Sequence, residues 1–344
     1  MTPAAIAEAF AAQAVHCANL ESPFMARLCT LLATRDWPGG AIRDRVFGWP
    51  GDVTSYGDSV PLRLCGALHA LRLNGDPALV LAWPPHDVSD DALWQAAVDA
   101  LANHADFIDR FIDSPPQTNE VRRAAGLIAA THWLHARHPL PFRLTELGAS
   151  GGLNLMFDRF ALALPGATLG PADPAVTLIP DWTGPLPPLS SPRVADRIGV
   201  DLNPLDPQDP DDALRLQAYL WADQPHRLKL TRAAMAVAQA PVIRADAIVG
   251  LMPRLTHVPG QLHLIFHTIA WQYFPPDRQT LGRERIEAAG ASATDDAPLA
   301  WLGIEADGQA PGAEVTLRLW PGDLTLTLAR MDFHGRWIDW RATD

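Results

Sequence analysis

Four short apolar runs in the second half of the chain each end in a side chain able to bind hydroxyl groups or move a proton. "PFRLTEL" leads to Glu146, "RIGVDLNP" carries Asp201, "PVIRADA" carries Asp246 with Ala247 behind it, and "QLHLIFH" ends at His267. In an open parallel sheet, ligands bind beyond the carboxyl ends of the strands. If the runs are parallel strands, these residues face one cleft. Behind Glu146 the chain reads "ELGASGGLNL", and Gly148, Gly151 and Gly152 permit a tight turn and close approach of the backbone to a ligand near a helix N-terminus. Two further stretches are polar enough to meet a substrate. "HTIAWQYF" sets His267, Trp271, Gln272 and Tyr273 just after the fourth run, and "SPPQTNEVRR" sets Gln117, Asn119, Glu120, Arg122 and Arg123 at a helix start between the two halves. Arg122 suits a bidentate contact with a substrate carboxylate.

Each residue also has a plain structural reading. Glu146 can cap the following helix, Asp201 before Asn203-Pro204 can form a turn, and Asp246 can be the N-cap of "AIVGLM" without losing a binding role. His267 can be a strand-end histidine, and Trp271 and Tyr273 can be core aromatics. Arg122 and Arg123 can pair with Asp109 or Asp113 across a helix contact, and His334 in "DFHGRW" reads as packing. "DPQDPDD" invites a metal reading, but it lacks the sixth-position glycine and late glutamate of a calcium loop. It reads as a solvated helix N-terminus, and no metal is expected.

The elements that must position these groups fall into two parts. Residues 1–140 read as a helical domain. Thr2-Pro3, Ser22-Pro23 and Asp76-Pro77 each offer an N-cap followed by proline. "PLRLCGALHALRLNG" stops at Gly75, "SDDALWQAAVDALANHADFIDRFID" starts at Ser89, and a further helix restarts near Thr118 after Pro115-Pro116. From 141 to 344 strands alternate with helical patterns such as "DPDDALRLQAYLWADQ", which predicts a mostly parallel sheet with crossover helices. "AEVTLRLWPG" and "DLTLTLARM" close the chain as an antiparallel hairpin at a sheet edge. The fold class is therefore α/β. The interval from Glu146 to Asp201 holds an insertion near 160–195, Pro-rich with strand-like "FALAL" and "AVTLIPDW", expected as a small hairpin over the cleft.

Composition narrows the function. The 344 residues are 48% hydrophobic with a formal charge of -12, and an acidic chain is poorly suited to nucleic acid. No window reaches the apolar length of a membrane span. The start lacks a cationic segment and carries Glu8, unlike a secretory signal. Cys17, Cys29 and Cys65 lack metal-ligand spacing and read as buried free thiols of a cytoplasmic protein.

Glu146-x-Gly148-x-Ser150-x-Gly152 resembles motif I of the class I S-adenosylmethionine-dependent methyltransferases, with Ser150 in place of the middle glycine. Serine fits there if its φ is negative. The spacing does not meet the dinucleotide G-x-G-x-x-G. The resemblance covers residues 142–344. It implies a Rossmann-like methyltransferase-type sheet in which Asp201 holds the ribose hydroxyls, Asp246 and Ala247 meet the adenine, and "FHTIAWQYFPP" follows the fourth strand. From end to end, "SPPQTNEVRR", "LGASGGLNL", "DLNPLDP", "FHTIAWQY" and "DFHGRW" resemble the bacterial family named domain of unknown function 2332 (DUF2332), which implies no reaction. The expected function is methyl transfer from S-adenosylmethionine to a small molecule. The cofactor contacts would be Glu146, Gly148, Ser150, Gly152, Asp201, Asp246, Ala247 and His267. His267, Trp271, Tyr273, Asn119, Glu120 and Arg122 would stand at the acceptor. A non-catalytic or regulatory protein that keeps the fold, or another nucleotide-binding enzyme, stands as the alternative.

Overall fold

The computed structural model describes residues 3–343; the cap expected at Thr2 lies outside them. Two compact units form, Met1–Thr118 with Gln208–Lys229, and Asn119–Pro207 with Leu230–Asp344. The division thus falls at 118 rather than 140, and the chain returns once to the helical unit.

The helical unit holds α1 (Pro3–Asn19), α2 (Pro23–Thr34), α3 (Ala41–Phe47), α4 (Val60–Leu73), α5 (Pro77–Ala82), α6 (Asp90–Asn103) and α7 (Ala105–Ile112). Asp76 caps α5 through the Leu79 N–H, and Ser89 caps α6 through the Ala92 N–H. Ser22 does not cap α2; its hydroxyl donates to Asp223 instead. The helix expected to run unbroken from Ser89 to Asp113 breaks at His104, whose ring nitrogen lies 2.8 Å from the Asp76 carboxylate. The core mixes aliphatic residues with aromatics such as Phe10, Phe24, Trp83 and Phe111, and Gly66 lets the ring of Tyr219 pack against the α4 backbone. Cys17, Cys29 and Cys65 are buried free thiols. Hydrogen bonding to Cys29 and burial push the Cys17 thiol upward, which keeps it protonated and unreactive.

The second unit begins with a single 3-10 turn, Val121–Arg123, which leads into α8 (Ala124–Arg137). Nearly every residue of α8 is buried. It therefore belongs with the sheet it covers, not with the helices before it. The strands are β1 (Phe142–Leu147), β2 (Phe160–Leu164), β3 (Ala167–Leu169), β4 (Val176–Leu178), β5 (Asp181–Thr183), β6 (Val194–Asp201), β7 (Val242–Arg244), β8 (Leu262–Thr268), β9 (Leu299–Glu305), β10 (Ala313–Trp320), β11 (Leu324–Met331) and β12 (Trp337–Trp340). Between them lie α9 (Pro210–Ala218, in the helical unit), α10 (Pro225–Val237), α11 (Ala247–Leu251) and α12 (Pro276–Gly290).

Nine strands form one sheet in the order β5-β12-β11-β10-β9-β8-β1-β6-β7. β7, β6, β1, β8 and β9 run parallel, and β10 and β11 form the expected antiparallel hairpin. The hairpin is not the edge, because β12 pairs with β11 and β5 pairs with β12. Alternation along β9 separates two layers. Ile304 meets α8 at Gly126, while Leu299 and Trp301 join Ile248 and Ile286 of α11 and α12. The insertion does contain a hairpin, β2 with β3, and β4 adds in parallel. β2 and β3 pack against α8, and β2 also packs against the 3-10 segment Asn154–Arg159. The buried residues of β2 and β4, including Phe160, Leu162, Val176 and Leu178, explain this, since they need an apolar helix face to cover them.

Candidate functional site at the strand carboxyl ends

The parallel part of the sheet reads, in the chain order of its strands, 3-2-1-4-5. In a doubly wound sheet the crevice forms where this order reverses, here between β1 and β8. Glu146 and Thr268 stand at these two ends. The loop behind Glu146 is anchored to β6: the N–H groups of Gly148 and Ala149 both donate to the Val200 carbonyl, at 2.9 and 3.1 Å. Gly148, Ser150 and Gly152 have φ of 72°, 51° and 66°.

Ser150 is therefore left-handed, contrary to the negative φ its side chain favours. Asp201 is placed to compensate. One carboxylate oxygen accepts the Ser150 N–H at 2.8 Å, and the other accepts the Asn203 N–H at 2.8 Å. Asp201 is thus both a turn former and the brace of the glycine loop. The positive φ at Gly148 and Gly152 lets the backbone approach protein, since a Cβ would lie 2.6 Å from Ala270 Cβ and 2.9 Å from Val242 Cγ2 respectively.

No α-helix follows this loop. Asn154–Arg159 is a 3-10 segment kinked at Met156, so the helix N-terminus expected to face a ligand is missing. The "TNEVRR" stretch takes over part of its bonding. Asn119 Oδ1 accepts the Leu153 N–H at 3.0 Å, and the Asn154 amide donates to the Glu120 carbonyl at 3.4 Å. Arg123 donates to the carbonyls of Phe333 and Thr268. Arg122 lies 3.4 Å from the Glu120 carboxylate. Residues 119–123 therefore stand at the strand carboxyl ends, but Asn119, Glu120 and Arg123 are buried and brace the loop and turn. Asp109 and Asp113 pair with Arg45.

After β8 the chain turns at Ile269, whose φ of 51° is an outlier for a β-branched residue. His267 Nδ1 lies 2.7 Å from Glu305, and its Nε2 accepts from the Trp301 indole at 3.0 Å. The ring is a neutral Nδ1–H tautomer with both nitrogens engaged, and it stacks on Trp271 at 5.0 Å. His267 is thus a positioning residue with no nitrogen free for a substrate. Trp271 is a core residue beside Ile248, Ile286 and Trp320, and the acceptor-cage reading fails for it because its face is covered by protein. Tyr273 is 70% exposed.

Glu305 organises this turn and was absent from the sequence candidates. It accepts from the N–H groups of Ala270 and Trp271 at 3.0 Å each, as well as from His267. Burial pushes its carboxyl up, but the bonds from His267 and the two N–H groups outweigh burial and hold it below the ordinary value. The signal was present: "WLGIEA" is a fifth apolar run ending in an acid.

Asp246 is the N-cap of α11, accepting from Ile248 and Val249 N–H through one oxygen at 3.0 Å each. Its other oxygen lies 3.6 Å from Arg278. Ala247 is the buried first residue of that helix. Glu146 is 1% exposed. Burial first, then the neighbouring Asp201 charge, push its carboxyl well above the ordinary range, and Arg123 offsets only part of this. Glu146 Oε2, Ser150 Oγ and Asn154 Oδ1 are buried without a hydrogen-bond partner among the described residues. Three such atoms within nine positions of one loop mark a place where water or a bound molecule completes the bonding.

The family described as "Uncharacterized protein conserved in bacteria (DUF2332)" matches residues 7–340. The chain belongs to this family. No match to a curated protein or to a solved structure was found. The stretches that carried the resemblance acquire physical roles: "LGASGGLNL" is the braced loop, "DLNPLDP" its brace, and "FHTIAWQY" the turn held by Glu305. Among the described residues no helix is long and apolar enough to cross a membrane.

Proposed function

We propose that the cleft at the ends of β1, β6 and β7 binds S-adenosylmethionine and that this DUF2332 protein transfers its methyl group to a small molecule. The observation that carries the reading is the group of buried, unpartnered polar atoms on Glu146, Ser150 and Asn154, beside Asp201 at the end of β6. The residues present fit the donor. A carboxylate has about four acceptor sites. Asp201 accepts a backbone N–H on each oxygen, and in this reading its carboxylate at the end of β6 also meets the ribose hydroxyls. Asp246 keeps the oxygen that does not cap α11 for the adenine amine. Burial favours the protonated form of Glu146, in which it would both donate and accept. Bound S-adenosylmethionine supplies an electrophilic methyl group on sulfur, and its transfer chiefly requires alignment and exclusion of water. Tyr273 and Arg122 stand as the acceptor-side residues of this reading.

Calorimetric titration with S-adenosylmethionine, S-adenosylhomocysteine and NAD tests it. Asp201→Ala should weaken S-adenosylmethionine by about tenfold or more, since hydrogen bonds to a charged group contribute roughly 1.5–3 kcal/mol. Tyr273→Phe should leave donor affinity unchanged and lower turnover. A parent protein that binds none of the three compounds sinks the proposal, and binding of NAD alone supports another nucleotide enzyme. The non-catalytic alternative is favoured by one observation: the loop lacks the helix that would aim its N–H groups at a ligand.

A further inference from the structure

Two carboxyl groups stand on neighbouring parallel strands, at the carboxyl ends of β1 and β6, where Leu147 lies opposite Val200. Asp201 faces the glycine loop. One of its oxygens accepts the Ser150 N–H and the other the Asn203 N–H, at 2.8 Å each, so neither is placed to carry a proton. Glu146 lies behind the same loop, almost fully buried, and its Oε2 has no hydrogen-bond partner among the described residues. Alternation along β1 puts Glu146 on the α8 face of the sheet. Leu147 packs on the other face with Ile248 and Ile286, while Phe142, on the Glu146 face, meets the ring of His135 in α8.

The charges that bear on Glu146 come from two elements. Asp201, from β6, repels a second negative charge. Arg123, from the turn before α8, attracts one, but it donates to the Phe333 and Thr268 carbonyls and offsets burial only in part. Glu120 in that turn is directed at Arg122, whose N–H it accepts. On the other side β8 sets Phe266 opposite Glu146, and His267 beyond it is neutral and turned to Glu305. Burial first, and Asp201 second, therefore hold the Glu146 carboxyl well above its ordinary range.

We propose that Glu146 and Asp201 form an acid pair that holds one proton, on Glu146, in the unliganded protein at neutral pH, and that a ligand bringing positive charge into the cleft expels this proton to solvent. Two carboxyls that share a site resist ionising together until a cation joins them. Toward an uncharged nucleoside the proton stays and Glu146 can donate it to a hydrogen bond. Toward a sulfonium or ammonium group it leaves, so cation bound and proton released go one for one. The proposal rests on the reading above for the identity of the cation, S-adenosylmethionine, and adds control of its binding by pH.

Infrared spectroscopy of the ligand-free protein reads the pair directly. At neutral pH the band of a protonated carboxylic acid should be present in the parent and absent from Glu146→Gln. Calorimetry in two buffers of different ionisation enthalpy then counts protons and needs no variant. About one proton should leave per S-adenosylmethionine bound. None should leave with 5′-methylthioadenosine, which keeps the nucleoside and lacks the charge. Below the pH at which the infrared band disappears, affinity for S-adenosylmethionine should rise about tenfold per pH unit in the parent and stay flat in Glu146→Gln. An acid band that Glu146→Gln leaves intact, or S-adenosylmethionine binding without proton release, overturns the pair and leaves the donor reading standing. If neither compound binds, the donor reading falls and takes the cation with it.

Discussion

Gly148→Ala is expected to destabilise the sheet-bearing unit by roughly 2–5 kcal/mol. Two costs combine. Gly148 has φ of 72°, a region that costs an L-residue roughly 1–2 kcal/mol. The added Cβ would lie 2.6 Å from Ala270 Cβ, closer than carbon atoms pack. Overpacking of this kind costs about 1–3 kcal/mol where neighbours cannot move. They cannot move freely here, because Gly148 is hydrogen-bonded to Val200 and Ala270 to Glu305. Denaturant unfolding followed by tryptophan fluorescence measures the effect. Ala270→Gly in the same chain should recover the steric part and leave the backbone part, a coupling of about 1–3 kcal/mol. If the double variant is no more stable than the sum of the single effects, the close approach of the two turns is wrong. The experiment also separates loop packing from ligand approach, since it is read without a ligand.

The second large effect belongs to Glu305. Glu305→Ala removes the acceptor of two backbone N–H groups and of a histidine N–H that are otherwise buried. Each buried neutral donor left unsatisfied costs about 1–3 kcal/mol, and the turn from Ile269 to Tyr273 should lose order with it. The pH dependence follows from the sign of the shift. The Glu305 carboxyl is held below its ordinary value of 4.5. Its contribution is therefore complete above that value and declines as pH falls through the lower, folded-state value. Between neutral pH and pH 5, parent and Glu305→Gln should differ by a constant amount. Below that the difference should shrink. A difference that grows on acidification would mean that Glu305 is protonated in the folded protein. Because His267 and Trp271 are held through Glu305, Trp271 fluorescence should report the loss of order.

Much of the frame was legible in the chain itself, for a local reason. Apolar runs that stop at an acid or a histidine mark strand ends, and β1, β6, β7, β8, β9 and the β10–β11 hairpin all stand where those runs predicted. Caps at Asp76 and Ser89 were readable because the donor and acceptor lie three positions apart. Alternation of strand and helix marked the parallel sheet, though not the strand order that sets β1 beside β8.

What sequence could not decide were relations between distant residues. Whether Ser150 takes a negative φ depends on Asp201, whose carboxylate holds its N–H from another strand. Whether His267 is a base depends on Glu305 and Trp301, which occupy both ring nitrogens from β9. The 3-10 segment in place of a helix after Gly152 depends in part on Asn119, which takes the Leu153 N–H from before α8. The 208–229 segment looks like any crossover helix pair in sequence, yet Tyr219 finds its partner at Gly66 of α4. Periodicity and capping are written in neighbouring residues. The protonation, tautomer and backbone strain of a site are set by whichever side chains the fold brings within hydrogen-bonding distance, and only the tertiary structure chooses those.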